Sequence, residues 1–187
     1  QMCIRDSTDT YSAISAAIGS LKGPRHGGAN IKVKHMMDEL LANIKDLTDE
    51  EEIADYLGKI ITKDAGDGSG LIYGFGHAIY TLSDPRAKIL KKNAKKLSAE
   101  KGMTDIYEFY KRVEKLVPSV FENVKGSKKV ICANVDFYSG FVYDMLGIES
   151  DLFTPLFAVS RIAGWCAHRI EEITYGGRII RPAYRSM

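Results

Sequence analysis

A glycine-rich turn, GPRHGGAN at residues 23–30, separates two stretches whose apolar residues recur at helical spacing. Three glycines and a proline within eight residues specify a tight turn of special backbone geometry rather than a flexible linker. The pattern therefore predicts two helices joined by a sharp corner, with His26 in the turn that opens the second helix. Free N–H groups and the positive end of the helix dipole favour an anionic ligand there, and they favour a neutral histidine donor. The alternative is an ordinary hydrogen-bonded loop histidine.

Helical periodicity continues along most of the chain, whereas strand–helix alternation and internal repeats are absent from the sequence. This pattern predicts an all-α, multi-helical fold. The predicted helices cover about residues 8–21, 31–45, 48–61, 86–97, 104–116, 136–147 and 151–172. Their predicted starts are a Ser7 or Thr8 cap, a Thr48–Glu51 capping box, the Ser83-Asp84-Pro85 sequence, and a Thr104 cap. The last helix is apolar around most of its circumference, so we expect it to be buried.

The composition is that of an ordinary globular protein and does not favour a nucleic-acid-binding, membrane or disulfide-rich class. With 187 residues and 45% hydrophobic content, the chain suits one domain, or one domain and part of another. A formal net charge of +2 gives no indication of a nucleic-acid or membrane partner. The three cysteines (Cys3, Cys132 and Cys166) are too scattered for a disulfide framework or a zinc site, which favours a cytoplasmic location. Residues 1–7 show no period, and we interpret them as a ragged or spurious N-terminus.

The helix predicted at 86–97 carries a run of lysines on its outer face. A solvated helix face is the default interpretation of such a run, and a phosphate-rich ligand is the alternative. These residues are Lys88, Lys91, Lys92, Lys95 and Lys96.

Four stretches place polar groups where a pure core would exclude them. If they converge, a desolvated carboxylate acts as a general base on a carbon acid, and two histidines polarise carbonyl groups. Three arginines bind a di- or tricarboxylate through bidentate pairs. Together they indicate carbon–carbon bond formation between an enolisable substrate and a keto acid. The residues are His26, His77 with Arg86, Asp136, and Arg161 with Arg181.

Each of these residues also has a purely structural alternative. Asp136 precedes a predicted helix and is equally suited to be its N-cap. Arg161 has acidic residues within reach on its own helix, and buried arginines are usually paired. Arg181 is a candidate surface residue, and His168, which has no motif around it, is assigned to the structure. The spacing of His, Cys, Asp and Glu matches no standard metal site.

Four segments of the chain resemble the signature segments of citrate synthase, in the family's order and with approximately its spacing. They are GPRHGGAN (23–30), GFGHAIYTLSDPRAKIL (74–90), NVDFYSG (134–140) and SRIAGWCAH…RIIRP (160–182). The similarity extends over nearly all of residues 8–185. It implies an all-α fold of two domains, represented here by a C-terminal fragment. The small, coenzyme A-binding domain would be 29–140, and the large domain would supply 8–28 and the C-terminal helix and arm at 141–187.

The resemblance also implies roles for individual residues. Asp136 would take a methyl proton from acetyl-CoA, His26 would hydrogen-bond the thioester oxygen, and His77 would polarise the oxaloacetate ketone. Arg86 and Arg161 would hold oxaloacetate carboxylates, joined by Arg181 from a neighbouring subunit. The residues implied to contact coenzyme A are Leu71, Ile72, Tyr73, Gly74, Phe75, Gly76 and Asn134.

The implied activity is that of citrate (Si)-synthase, an acyltransferase of the tricarboxylic acid cycle that condenses acetyl-CoA with oxaloacetate. The full-length protein would be a homodimer or hexamer, with no metal and no permanently bound cofactor. Since a full-length member is considerably longer, we expect the isolated chain to be inactive and to expose the apolar faces of 11–21 and 153–165. The alternatives are a 2-methylcitrate synthase using propionyl-CoA, a non-catalytic helical interaction module, and a CoA-ester lyase, which would need further domains.

Overall fold

The computed structural model describes residues 8–22, 28–77, 80, 82–126 and 131–175. Within these ranges the regular structure is helical, with one isolated antiparallel bridge between Phe75 and Ala133. This confirms the predicted all-α fold. The helices are α1 (Thr10–Leu21), α2 (Ala29–Asn43), α3 (Glu50–Thr62), α4 (Pro85–Glu100), α5 (Thr104–Lys125), α6 (Val135–Met145) and α7 (Phe153–Tyr175). A 3₁₀ turn at Ser150–Leu152 precedes α7, so that helix starts later than predicted.

The start of α3 differs from the predicted capping box. Asp49 is the N-cap, and its Oδ1 accepts the backbone N–H groups of Glu51 at 2.8 Å and Glu52 at 3.2 Å. Thr48 lies one residue before this N-cap, and its amide and hydroxyl both donate to Asp46 Oδ1. The Thr48–Glu51 prediction is therefore wrong, because the Asp49 carboxylate accepts the helix N–H groups in place of Thr48.

Two further predicted helix starts are wrong. Asp9 is the N-cap of α1, where the sequence predicts Ser7 or Thr8, and it accepts from Ser12 N at 2.9 Å. Met103 occupies the N-cap position of α5 without a side-chain hydrogen bond, and Thr104 is the first helical residue. The start of α4 is confirmed, because Asp84 caps the helix and Pro85 is in its first turn, where no N–H is needed.

The chain divides into two compact units, and the larger of them comprises Ala29–Phe153. Its core is apolar and almost free of solvent, with α3 packed on α5 and both α2 and α4 packed on α6. An aromatic group at its centre stacks Tyr110 on Phe141 with 4.7 Å between ring centroids, and Phe137 crosses Tyr138 at 5.0 Å. The most deeply buried large side chains include Met37, Leu40, Ile53, Leu57, Phe109, Phe137 and Tyr138.

This unit begins at Ala29 and extends beyond Gly140, where the sequence predicts a domain boundary. Phe153 is fully buried in it, with its ring centroid 5.0 Å from that of Tyr143. The segment 141–153 is therefore packed with the residues that precede it. Assignment of the units to the small and large domains of a known family remains a prediction.

The second unit comprises Gln1–Gly28 and Thr154–Met187, of which α1 and most of α7 are described. Arg169 on α7 is buried and donates to the carbonyl oxygen of Thr8, ahead of α1. The predicted burial of α7 is wrong, because Val159 is 65% exposed and Ile170 64% exposed. The expected exposure of apolar side chains is confirmed, on α1 by Tyr11 at 86% and on α7 by Val159.

Candidate active site

The loop that carries His77 is held by backbone contacts to the segment before α6. Gly76 N donates to the Cys132 carbonyl at 2.9 Å, and Asn134 N donates to the Gly74 carbonyl at 2.8 Å. Gly74 has a φ of +82°, and a Cβ there would lie 2.9 Å from Phe137 Cδ2 and 2.9 Å from Val33 Cγ2. Glycine is therefore required at this position, both for the left-handed backbone and for the space.

Asn134 caps α6 and contacts the same loop. Its Oδ1 accepts the Asp136 N–H at 3.0 Å, and its Nδ2 donates to the Gly76 carbonyl at 3.1 Å. Asp136 lies in the first turn of α6 and is not its N-cap. The capping alternative for Asp136 is thus wrong, and the carboxylate is left for another role.

His77 lies beside Tyr80 and the guanidinium of Arg86. Its Nδ1 accepts the backbone N–H of Tyr80 at 3.0 Å, and the two ring centroids are 4.7 Å apart. In the neutral imidazole, an accepting Nδ1 places the proton on Nε2, which makes Nε2 a donor. Nε2 is 3.4 Å from Arg86 Nη2. The two donors are therefore close enough to bind one small oxygen-rich molecule.

Asp84 holds Arg86 in place. Arg86 Nε donates to Asp84 Oδ1 at 3.0 Å and Nη2 donates to Oδ2 at 2.8 Å, while Asp84 is 1% exposed. The hydrogen bonds from Arg86 lower the pKa of Asp84, so the pair is ionic. Sequence reasoning assigns Asp84 to a helix start and misses its second role. The signal is present in the Asp-Pro-Arg sequence, which puts a capping carboxylate two residues before a guanidinium.

The pKa of Asp136 is raised. Burial is the largest cause, and the negative charge of Asp84 adds to it, while the Arg86 charge opposes it. Since burial destabilises the anion, the Asp136 carboxylate is a stronger base than a solvated aspartate. The structure thus places His77, Arg86 and Asp136 within one compact unit, as a donor, a cation and a base.

Whether the remaining predicted residues join these three is a matter that the described residues do not test. Arg161 lies on α7 in the other unit, where it is exposed and its guanidinium carbon is 4.9 Å from the centroid of the Phe157 ring. His26 and Arg181 lie outside the described residues. Their roles stay predictions. His168 is exposed, and its Nδ1 lies 3.2 Å from a Glu171 carboxylate oxygen.

Residues of the segment 71–76 contact two different parts of the larger unit. Leu71 and Tyr73 line a cleft of about 180 Å³ formed with α2 and the end of α3. The Tyr73 hydroxyl donates to Asp67 at 2.6 Å, and Lys32 Nζ is 4.9 Å from the centroid of its ring. Gly74 and Gly76, in contrast, contact the segment that leads into α6. This arrangement gives a mostly apolar cleft with one cation, Lys32, among the residues that line it.

Neither a metal centre nor a membrane span is found among the described residues. In that part of the chain, no group of three His, Cys, Asp or Glu side chains is placed to hold a metal ion. No described helix combines the length and the apolar character that a membrane span needs.

A family model for "Citrate synthase, C-terminal domain" matches residues 6–183 of the chain. Among curated proteins, Citrate synthase 2 of Bacillus subtilis is 42% identical over 97% of this chain and 43% of its own length. A 2-methylcitrate synthase of Shewanella oneidensis is 39% identical over 98% of this chain and 43% of its own length. The chain therefore spans less than half the length of these relatives.

Solved structures agree with this grouping. Citrate synthase from Thermotoga maritima superposes with a TM-score of 0.75 at 32% identity, over 99% of this chain and 46% of that one. Citrate synthase from Thermoplasma acidophilum, solved as a ternary complex with carboxymethyl coenzyme A and oxaloacetate, superposes with a TM-score of 0.73 at 35% identity. That match covers 98% of this chain and 45% of the other.

Proposed function

The chain belongs to the citrate synthase family, and we propose that, within a chain of its relatives' length, it condenses acetyl-CoA with oxaloacetate to give citrate and CoA. This is an acyltransferase reaction in which an acyl group becomes an alkyl group, and it is the entry step of the tricarboxylic acid cycle. The observation that carries the proposal is the placement of a desolvated base, Asp136, in the same unit as the His77–Arg86 pair.

Oxaloacetate would bind between His77 and Arg86. The Nε2–H of His77 would donate to the ketone oxygen, and the edge of the guanidinium that Asp84 does not hold would take a carboxylate. Asp84 supports this by fixing the opposite edge. Arg161, together with Arg181 from a neighbouring subunit, would complete the arginine set.

Asp136 would start the reaction by removing a proton from the methyl group of acetyl-CoA, while His26 hydrogen-bonds the thioester oxygen of the enol or enolate. The enol carbon then forms a bond to the ketone carbon, and the developing alkoxide takes a proton from His77. Water next attacks the thioester carbonyl of citryl-CoA, the carbon–sulfur bond breaks, and citrate and CoA leave. The raised pKa of Asp136 suits a base that must accept a proton from carbon.

Acetyl-CoA would be a co-substrate, with no permanently bound cofactor. Leu71, Ile72, Tyr73, Gly74, Phe75 and Gly76 are proposed to receive the coenzyme with Asn134. The left-handed glycines support this proposal, because they let the backbone approach a ligand closely. The structure of the Thermoplasma acidophilum relative contains a coenzyme A derivative.

A second candidate is 2-methylcitrate synthesis from propionyl-CoA. The Shewanella oneidensis relative, and a 2-methylcitrate synthase 1 of Corynebacterium glutamicum at 38% identity, favour it. One added methylene changes discrimination by only about 1–3 kcal/mol. The same donor, base and cation serve both reactions.

We also propose that the full-length protein is a homodimer or hexamer, since the predicted role of Arg181 requires a neighbouring subunit. We propose the cytoplasm as its location. The 187 residues alone are proposed to be inactive. The supporting observations are that they span 43% of the length of Citrate synthase 2 and leave apolar residues of α1 and α7 exposed.

The experiment that tests the function extends the chain at its N-terminus with the corresponding part of Citrate synthase 2 and measures CoA release. With oxaloacetate present, acetyl-CoA and propionyl-CoA would be offered in competition and the products identified by mass. Mainly citrate supports the proposal, and mainly 2-methylcitrate supports the second candidate. A folded, assembled protein that forms neither product contradicts both.

A further inference from the structure

The side chain of Asn134 connects the two parts of the candidate active site. Its Nδ2 donates to the Gly76 carbonyl at 3.1 Å, one residue before His77, and its Oδ1 accepts from Asp136 N at 3.0 Å. Only one orientation of the amide satisfies both neighbours, because a carbonyl accepts and an N–H donates. One side chain therefore links the loop of the donor to the helix of the base.

The backbone around Asn134 strengthens this connection. Asn134 N donates to the Gly74 carbonyl at 2.8 Å, and Gly76 N donates to the Cys132 carbonyl at 2.9 Å. These bonds align the two segments, and the Asn134 carbonyl accepts from Phe137 N of α6 at 3.3 Å. The side-chain amide of Asn134 adds a second link between the loop and the first turn of the helix, where Asp136 lies.

We propose that Asn134 is a positioning residue that fixes His77 and Asp136 relative to one another, and that this is its principal role rather than contact with coenzyme A. The inference rests on the function proposed above, in which donor and base act on two substrates held together. Oδ1 and one of the two Nδ2 hydrogens are already bonded within the protein. A misplacement of about 1 Å in such a pair costs on the order of 100-fold in rate.

The test uses Asn134→Ser in the extended chain described above. Serine remains a good N-cap for α6 but has no amide to donate to Gly76. Asp49→Ser is the matched control, because it changes the N-cap of α3, a helix without candidate site residues. We expect kcat to fall about 10- to 100-fold in Asn134→Ser, with the KM for acetyl-CoA changed by less than about threefold. Asp49→Ser should leave both constants near those of the wild type.

Two kinetic results would overturn the proposal. An unchanged kcat would show that the link does not position the reacting groups. A rise in the KM for acetyl-CoA as large as the fall in kcat, or larger, would show that Asn134 serves mainly to bind the coenzyme.

A wild type that forms no product would contradict the proposed function and would leave the positioning role to be decided separately. NMR spectra of the 187-residue chain decide it without activity. Asn134→Ser should move the ring resonances of His77, which is distant in sequence, whereas Asp49→Ser should not. Unmoved His77 resonances in Asn134→Ser would overturn the positioning role.

Discussion

Asp84 holds the guanidinium of Arg86 by one edge, with Nε 3.0 Å from Oδ1 and Nη2 2.8 Å from Oδ2. The same carboxylate caps α4 by accepting Arg86 N at 2.9 Å. Because Asp84 is buried, it fixes the arginine in one orientation and offsets its charge. The two charges of this pair therefore act on the pKa of Asp136 in opposite directions: Arg86 lowers it and Asp84 raises it.

Replacing Asp84 by asparagine should lower the pKa of Asp136. The substitution removes the negative charge that disfavours the Asp136 anion and leaves Arg86 uncompensated, while asparagine is still a good N-cap. Titration of the Asp136 carboxyl by ¹³C NMR measures the change. Asp49→Asn, at the cap of α3, is the control. A pKa of Asp136 that rose in Asp84→Asn would show that the charge balance is described wrongly.

Asp136→Asn should stabilise the fold at neutral pH. The folded-state pKa of Asp136 is raised by burial, so the wild type is destabilised once the carboxyl ionises in both states. Below the unfolded pKa of 3.8 both states bind the proton and the variants should be equally stable. The stability difference grows as pH rises from there through the folded pKa. It reaches about 1.4 kcal/mol for each pH unit that separates the folded pKa from the unfolded one.

Urea unfolding of the two proteins at a series of pH values would measure that difference. If Asp136→Asn were less stable than the wild type at pH 7, burial would not be the dominant influence on this carboxyl.

Gly74→Ala should destabilise the fold by about 2–5 kcal/mol, the sum of a left-handed backbone cost and local overpacking. The added Cβ would lie 2.9 Å from both Phe137 Cδ2 and Val33 Cγ2. Gly76 has a similar φ of +86° but no neighbour within 4 Å of an added Cβ. Gly76→Ala should therefore cost only about 1–2 kcal/mol. Equal losses in the two variants, measured by urea unfolding, would show that packing at Gly74 is unimportant.

Tyr138→Phe should cost about 1.5–3 kcal/mol, because the hydroxyl donates to a charged group away from solvent. Tyr138 is fully buried, and its hydroxyl is 2.6 Å from Glu114 Oε2, which also accepts from Lys91. Tyr73→Phe removes an exposed bond to Asp67 and should cost less than about 1 kcal/mol. The difference in the free energy of unfolding between the two variants is the measurement. A larger loss in Tyr73→Phe would contradict the importance of burial.

The sequence predicts which segments are helical, because apolar spacing reflects the faces that pack together in the unit 29–153. It misses the end of α5, which continues past Leu116 to Lys125 with Pro118 inside the helix. It also identifies Pro85 as a first-turn residue, since that inference needs only local geometry. The caps are harder to predict. Asp46, Thr48 and Asp49 are all able to accept a backbone N–H near the start of α3, and sequence alone does not show that Asp49 caps the helix while Asp46 accepts from Thr48.

The candidate site, like the helices, is predicted from the sequence only in part. The motifs identify His77, Arg86 and Asp136 as candidates, but both Asn134 and Asp136 are able to cap α6. The structure shows that Asn134 is the N-cap and that its side chain also donates to the Gly76 carbonyl. The predicted burial of α7 is wrong for another reason. Apolar residues around most of a helix are typical of a helix that is covered on all sides. Among the described residues, however, Val159 and Ile170 of α7 remain exposed.

The central claim, that Asp136 is the base, is tested most directly by Asp136→Asn in the extended chain. Asparagine keeps the shape of the side chain but cannot take a proton from acetyl-CoA. We expect CoA release to fall at least about 100-fold, while the Kd for oxaloacetate, measured by calorimetry, stays within about threefold. The exposed Asp55 on α3 is the control, and Asp55→Asn should retain full turnover. Turnover near the wild-type rate in Asp136→Asn would show that Asp136 is not the base.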